Sequence, residues 1–194
     1  MKPQIHKTAV IERPCAIGEG TKIWHFCHVM AGAKIGKNCS FGQGCHVAGR
    51  AVVEDDVRVQ NGVSLYDGVV IERDAFLGPH CVFTNVRKPR AGIEIDDYKI
   101  TLVKEGATIG ANATIVCDRV VGKHAFVGAG AVLTVDAPNY GVMLGNPAEL
   151  SGWMCECGQR LPLYPTGYDI NITCAKCDRK YVQMDPTHLM RSSW

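Results

Sequence analysis

Apolar residues recur in this chain every six positions, and a period of six leaves few folds open. Counting from Ile5, the series Ile5, Ile11, Ile17, Ile23, Val29, Ile35, Phe41, Val47, Val53, Val59, Leu65, Ile71, Leu77, Phe83 is unbroken. A second series, Val103, Ile109, Ile115, Val121, Val127, Leu133, follows two residues out of phase. Six residues are too few for a helical hairpin and suit a short strand plus a turn. Three such hexads close one triangular coil, and stacked coils bury one another's aliphatic side chains. A β-sandwich has no reason to hold this spacing. The sequence therefore predicts an all-β protein, a left-handed parallel β-helix over residues 1–150.

The position two before each anchor is small or β-branched: Ala9, Cys15, Thr21, Cys27, Ala33, Cys39, Cys45, Ala51, Val57, Val63, Val69, Ala75, Cys81, then Ala107, Ala113, Ala125, Ala131. This suits an inward site at a tight corner. Cys15, Cys27, Cys39, Cys45 and Cys81 are thereby predicted to be buried, inert core thiols. Glycine often follows the anchor, where the chain turns.

Residues 18 apart are predicted to stack on one face. His25, Gln43 and Asn61 form one polar ladder; His28, His46 and Ser64 form another. Between the two apolar series lies an insertion, about residues 86–102. It carries Arg87, Lys88 and Arg90, then Glu94, Asp96 and Asp97. Insertions in repeat proteins commonly build the binding face, and arginines there suit phosphate or carboxylate.

A net charge of +2 gives no argument for a nucleic-acid partner. No run approaches the length of a membrane span, and the first residues lack a signal pattern. Ten cysteines without secretion signals fit a reducing, cytoplasmic setting.

After Leu133 the hexads stop. Cys155-Glu-Cys157 and Cys174-Ala-Lys-Cys177 form two knuckles, which predict a structural Zn2+ held by four thiolates in a ribbon-like module over 151–183. A mini-domain of this size usually needs such a staple. Iron in a rubredoxin-like site and disulfides are the alternatives. Residues 184–194 are expected to be a poorly ordered tail.

The stretches Gly18–Val29, Val59–Tyr66, Phe83–Val86, Gly106–Ile115 and Gly145-Asn146-Pro147-Ala148 resemble the hexapeptide-repeat sugar N-acetyltransferases. The match is nearest to the branch acetylating the 3-amino group of nucleotide-linked amino sugars, including a UDP-linked 3-amino glucuronate of surface (O-antigen) polysaccharide synthesis. The resemblance covers about residues 5–153. It implies a homotrimer with sites between subunits, acetyl-CoA along the C-terminal coils, and a nucleotide sugar beside the inserted loop. It makes Asn85 the first catalytic candidate, as orienter or oxyanion donor. His25 and His28 are general-base candidates on chemical grounds, although relatives can pass the proton to the departing CoA sulfur. Gln43, Asn61, Tyr66, Thr84 and Arg90 are candidate substrate contacts. Candidate CoA contacts are Gly110, Ala111, Gly128, Ala129, Asn146 and Pro147, with Lys104 and Lys123 for phosphate. Competing readings are O-acetylation of a sugar or other small molecule, a γ-carbonic-anhydrase-like protein and a non-enzymatic trimeric scaffold.

Overall fold

In the computed structural model, which describes residues 1–94 and 98–192, the hexads wind into a parallel β-solenoid, and no helix occurs among the described residues. Asp96 and Asp97 of the insertion lie outside the described residues. Each hexad gives a strand of two or three residues followed by a four-residue corner. Strands stack into three sheets. One begins at Gln4–Ile5 and Lys22–Ile23, a second at Val10–Ile11 and His28–Val29, and a third at Ala16–Ile17 and Lys34–Ile35.

The register explains the period. Lys22 pairs with Ser40, Ser40 with Arg58, and Arg58 with Phe76, a step of 18 each time. Across the insertion, Phe76 pairs with Thr108, a step of 32. The insertion thus adds 32 − 18 = 14 residues and returns the chain to the next rung. Solenoid structure resumes with the strand Thr101–Val103, so Thr101 and Leu102 belong to a coil and not to the loop.

Every anchor from Ile23 to Leu133 is buried, whereas Ile5 is 38% exposed at the open first coil. Burying one such side chain stabilises by about 1.5–3 kcal/mol. The inward cysteines have a second role. Cys27, Cys39 and Cys45 donate their S–H groups to the carbonyls of Gly42, Glu54 and Gln60 on the next coil, at 3.0–3.1 Å. Thr21 does the same to Gly36 at 2.8 Å. Corner carbonyls, which face inward without a strand partner, are satisfied this way. Cys15 is only partly buried, because its coil lies next to the open end.

From the second coil onward, the corner from the first to the second sheet places its third residue in the left-handed region: Phe26, Gly44, Gly62, His80, Asn112 and Gly130. Gly62 shows why glycine is used, since an added Cβ would collide with the His80 ring. Phe26 (φ 59°) and His80 (φ 55°) are the bulky exceptions, and Phe26 is 70% exposed.

At the far end, Gly141–Leu144 joins the first sheet in parallel with Phe126–Val127 and then pairs antiparallel with Glu149–Met154. That last strand crosses the boundary expected at 150/151. It delivers Trp153 into a second core with Tyr140, Leu161, Ile172, Tyr181 and Leu189. Of the expected tail, residues 184–192 are ordered, which corrects the sequence reading there. Lys180–Asp185 and His188–Arg191 form an antiparallel hairpin. Leu189 is buried, and Arg191 bonds Glu156 at 2.9 and 3.1 Å. Ser193 and Trp194 lie outside the described residues.

Candidate active site

The second sheet and its two flanking corners gather most of the candidate residues. On the corner that precedes this sheet, Trp24, His25, Gln43, Gln60 and Asn61 line a cleft of about 310 Å3. The predicted ladder of His25, Gln43 and Asn61 is therefore real. Part of its polarity is spent within the fold, because the Gln43 backbone N–H donates to the Asn61 side-chain oxygen at 3.0 Å. The His25 ring lies against His6, centroids 3.6 Å apart.

The outward face of the sheet itself carries His28, His46, Ser64 and Val82 on successive strands. The His28 Nε2 meets the Glu12 carboxylate at 2.7 Å, and the other Glu12 oxygen accepts from the Ala31 N–H at 3.2 Å. The hydrogen bond from His28 holds the Glu12 carboxyl below its ordinary pKa. The rings of His28 and His46 meet edge-on at 5.4 Å, and His46 meets Tyr66 at 5.9 Å. Burial lowers the pKa of His46, with the nearby His28 charge acting the same way.

Tyr66 and Thr84 occupy the corner that follows the sheet, one coil apart. The Thr84 hydroxyl accepts from the Cys117 N–H at 2.9 Å, so part of its role is structural. The Asn85 carbonyl accepts from Lys99 at 3.1 Å, closing the base of the inserted loop. No hydrogen bond to a described residue occupies the Asn85 side-chain amide. Arg50 lies over the Tyr98 ring at 5.2 Å and pairs with Asp67 at 3.7 Å, which pins the loop to the coils. Arg87 pairs with Asp118 at 2.7 Å. Arg90 donates to the neighbouring Pro89 carbonyl at 2.9 Å and is exposed.

The coil count separates candidates that the sequence could not. His28 is followed upward by His46, Ser64 and Val82, with Asn85 at the last level. Three steps of about 4.8 Å put His28 and Asn85 about 14 Å apart along the axis. His25, on the same coil as His28, is equally remote.

The candidate CoA residues also divide. Gly110, Ala111, Gly128 and Ala129 stack on the first corner, above the His25 cleft with the coil of Gly78 and Pro79 between. An added Cβ at Gly110 would strike the backbone of Gly128 and Ala129. Asn146 and Pro147 follow at the top, where Pro147, Ala148, Val135, Leu150 and His188 line a largely apolar groove of about 610 Å3. Lys104 and Lys123 stand on a different corner, the one between the third and first sheets, and Lys123 is paired with Glu105 at 3.0 Å. Sequence reasoning missed Glu12 and the His188 turn. Glu12 is offset from the 18-residue ladder of His28, and residues 184–194 were expected to be unstructured.

Two models of hexapeptide repeats match the chain. The bacterial transferase hexapeptide (six repeats) covers residues 14–49, and the hexapeptide repeat of succinyl-transferase covers residues 32–67. The dTDP-3-amino-3,6-dideoxy-alpha-D-galactopyranose 3-N-acetyltransferase of Aneurinibacillus thermoaerophilus is 38% identical over 181 residues, which is 93% of this chain and 91% of that protein. The chain belongs to the hexapeptide-repeat acyltransferases. The bifunctional protein GlmU of Geobacillus sp. is 28% identical across 72% of this acyltransferase, which spans 32% of GlmU. The acetyltransferase domain of PglB from Neisseria gonorrhoeae, in complex with acetyl coenzyme A, shares the fold. Its TM-score is 0.53 at 21% identity, covering 77% of this chain and 58% of that one.

The four C-terminal cysteines of the acyltransferase converge. Their Sγ atoms lie within 4.8 Å of one another, with Cys155 to Cys177 at 3.5 Å and Cys157 to Cys174 at 3.6 Å. Four thiolates about 2.3 Å from one tetrahedral ion stand about 3.8 Å apart, so the set fits a metal. The Arg179 guanidinium donates to Cys177 at 3.3 Å, and the Tyr181 hydroxyl lies 3.1 Å from Cys155. Backbone N–H donation from Arg179 brings the Cys177 thiol down to about 6, while burial pushes Cys155 up to about 12.

Proposed function

We propose that this acyltransferase moves the acetyl group of acetyl-CoA to the 3-amino nitrogen of a dTDP-linked 3-amino-6-deoxy sugar. The observation that carries this reading is the 38% identity across 93% of the chain with a 3-N-acetyltransferase of that substrate class. It favours a thymidine nucleotide over the uridine nucleotide of the sequence reading. It also favours a sugar without a carboxylate. In line with that, Val82, half-exposed beside Thr84 and Asn85, offers an apolar contact, and Arg90 is turned onto its own loop.

The reaction needs little from the protein beyond positioning and an oxyanion donor. The neutral amine attacks the thioester carbonyl. A C–N bond forms, the C–S bond breaks, and the nitrogen's proton goes to the departing sulfur. Holding both reactants in contact supplies much of the rate. The uncommitted amide of Asn85 is the donor for the oxygen that gains charge. Trimerisation about an axis running alongside the solenoid would bring a neighbour's face to this sheet. We read the module's metal as structural zinc, because all four ligand positions are cysteine and no open position is left for chemistry. Among the described residues no helix is long and apolar enough to cross a membrane.

Free thiol release from acetyl-CoA, followed with dTDP- and UDP-sugars with and without a 3-amino group, tests the assignment. Turnover restricted to 3-amino dTDP-sugars is expected. Turnover with hydroxyl sugars alone would move the assignment to O-acetylation. Asn85→Ala should lower kcat by about 100- to 1000-fold, with little change in KM for either substrate.

A further inference from the structure

We infer that the outward face of the second sheet is a rail for the whole sugar nucleotide. Its lower end, built from His46 and Tyr66 with His28 locked to Glu12, takes the pyrimidine base. The occupant rests on the function proposed above; the polarity rests on the geometry of the face.

A general base must come within hydrogen-bond reach of the proton it takes. With about 14 Å of axial separation, His28 and Asn85 cannot serve one reacting nitrogen. The two histidines of this face therefore need another task. His28, His46 and Tyr66 climb diagonally across three consecutive coils, ring to ring at 5.4 and 5.9 Å. The next coil upward on the same corner brings Thr84, then Asn85 and the start of the inserted loop. The line is thus continuous from an aromatic end to the candidate catalytic amide. Its span is of the same order as an extended nucleoside diphosphate sugar.

The aromatic end is built rather than incidental. Glu12 fixes the His28 ring at 2.7 Å and is itself fixed by the Ala31 N–H. His28 in turn meets the edge of His46. Tyr66 stands 41% exposed at the top of this stack, where a soluble face would ordinarily carry a polar residue. Burial favours the uncharged form of His46, which suits a stacking surface better than a phosphate site. Every base has a π-face, so base–aromatic stacking fits this end. Of the cationic side chains beside this face, Arg87, Lys88 and Arg90 belong to the upper, loop end, while Arg50, on the coil of His46, is engaged by Asp67 and the Tyr98 ring. A base at the bottom puts the sugar at Asn85, and leaves the coils with Gly110 and Gly128 for the acetyl donor.

Calorimetric titration of the full chain with free dTDP reads this directly, because it requires no turnover. His46→Ala and Tyr66→Ala are each expected to weaken dTDP binding on the order of tenfold. Tyr66→Phe, which keeps the ring, is expected to restore it. Asn85→Ala is expected to bind dTDP as the unmodified chain does. The rail is overturned if dTDP binding is indifferent to His46 and Tyr66, or if Asn85→Ala is the variant that loses it. Absence of dTDP binding in the folded, unmodified chain overturns it as well. Thiol release separates the two ideas. Turnover of 3-amino dTDP-sugars with dTDP binding indifferent to both rings leaves the enzyme and removes the rail. Ring-dependent dTDP binding without turnover keeps the nucleotide site and removes the acetyl transfer.

Discussion

The solenoid and the C-terminal module reach stability by opposite means. The solenoid spreads it over some twenty anchors, each packed only against the coil above and the coil below, so no single residue decides the fold. The module has a small core of Tyr140, Trp153, Leu161, Ile172, Tyr181 and Leu189 around four cysteines. So few apolar residues cannot offset the ordering entropy of some forty residues unaided. One region is secured by repetition, the other by a single point of convergence.

Metal removal should break that comparison most sharply. Structural zinc in small modules contributes about 10–16 kcal/mol. Chelation, or Cys174→Ser, is therefore expected to abolish the near-ultraviolet signal of Trp153 and Tyr181 while the far-ultraviolet spectrum of the solenoid persists. Simultaneous loss of both signals would show one cooperative unit. Leu77→Ala is next. It empties a fully buried site in a middle coil and should cost about 2–5 kcal/mol in denaturant unfolding of the solenoid, with the module signal unmoved.

Gln183→Ala is the counterpart in the module. The Gln183 side chain accepts from the Trp153 indole at 3.0 Å and donates to the Tyr164 carbonyl at 2.7 Å. Its loss should cost about 1–3 kcal/mol, read from the tryptophan signal alone.

The smallest effect comes from pH and belongs to the solenoid. Burial pushes the Cys81 thiol up to about 12. A raised thiol favours the neutral form in the folded state. Its contribution is full below the ordinary value near 9 and is lost as pH rises from there towards 12. His46 works in the other direction. Its lowered pKa contributes stability above the ordinary value near 6.5, and that is lost as pH falls. Melting temperature against pH should therefore be flat from 7 to 9 and fall on both sides. A maximum at pH 5 or 11 would contradict both assignments.

The difference between the regions also decides what the sequence alone could reveal. Repetition writes itself into the chain, so the six-residue period gave the strands, the inward cysteines and the ladders of His25 and His28. Register arithmetic also carries function up to Phe83. Beyond that point the step changes from 18 to 32 residues, and alignment across the loop needs coordinates. Glu12 was hidden because a side chain that reaches one coil over falls off the 18-residue ladder. The separation of His28 from Asn85 was in principle countable, but the insertion drew both into one expected site. In the module the cysteine spacing was legible, but the closing hairpin was not. Tyr181, Gln183 and Leu189 point into one core, yet the Asp185-Pro186-Thr187 turn interrupts the alternation and Gln183 reads as a surface residue.

The strand pair at the far end closes one of the three sheets, the first, with a strand of reversed sense. The first coil presents unpaired strand edges at Gln4–Ile5 and Val10–Ile11. At the other end Glu149–Met154 runs backwards against Gly141–Leu144. A second solenoid arriving there in register would meet a reversed strand rather than a template. Exposed strand edges invite pairing with another chain, and at this end the reversal after Gly145-Asn146-Pro147 covers the edge of the first sheet with a strand of opposite sense.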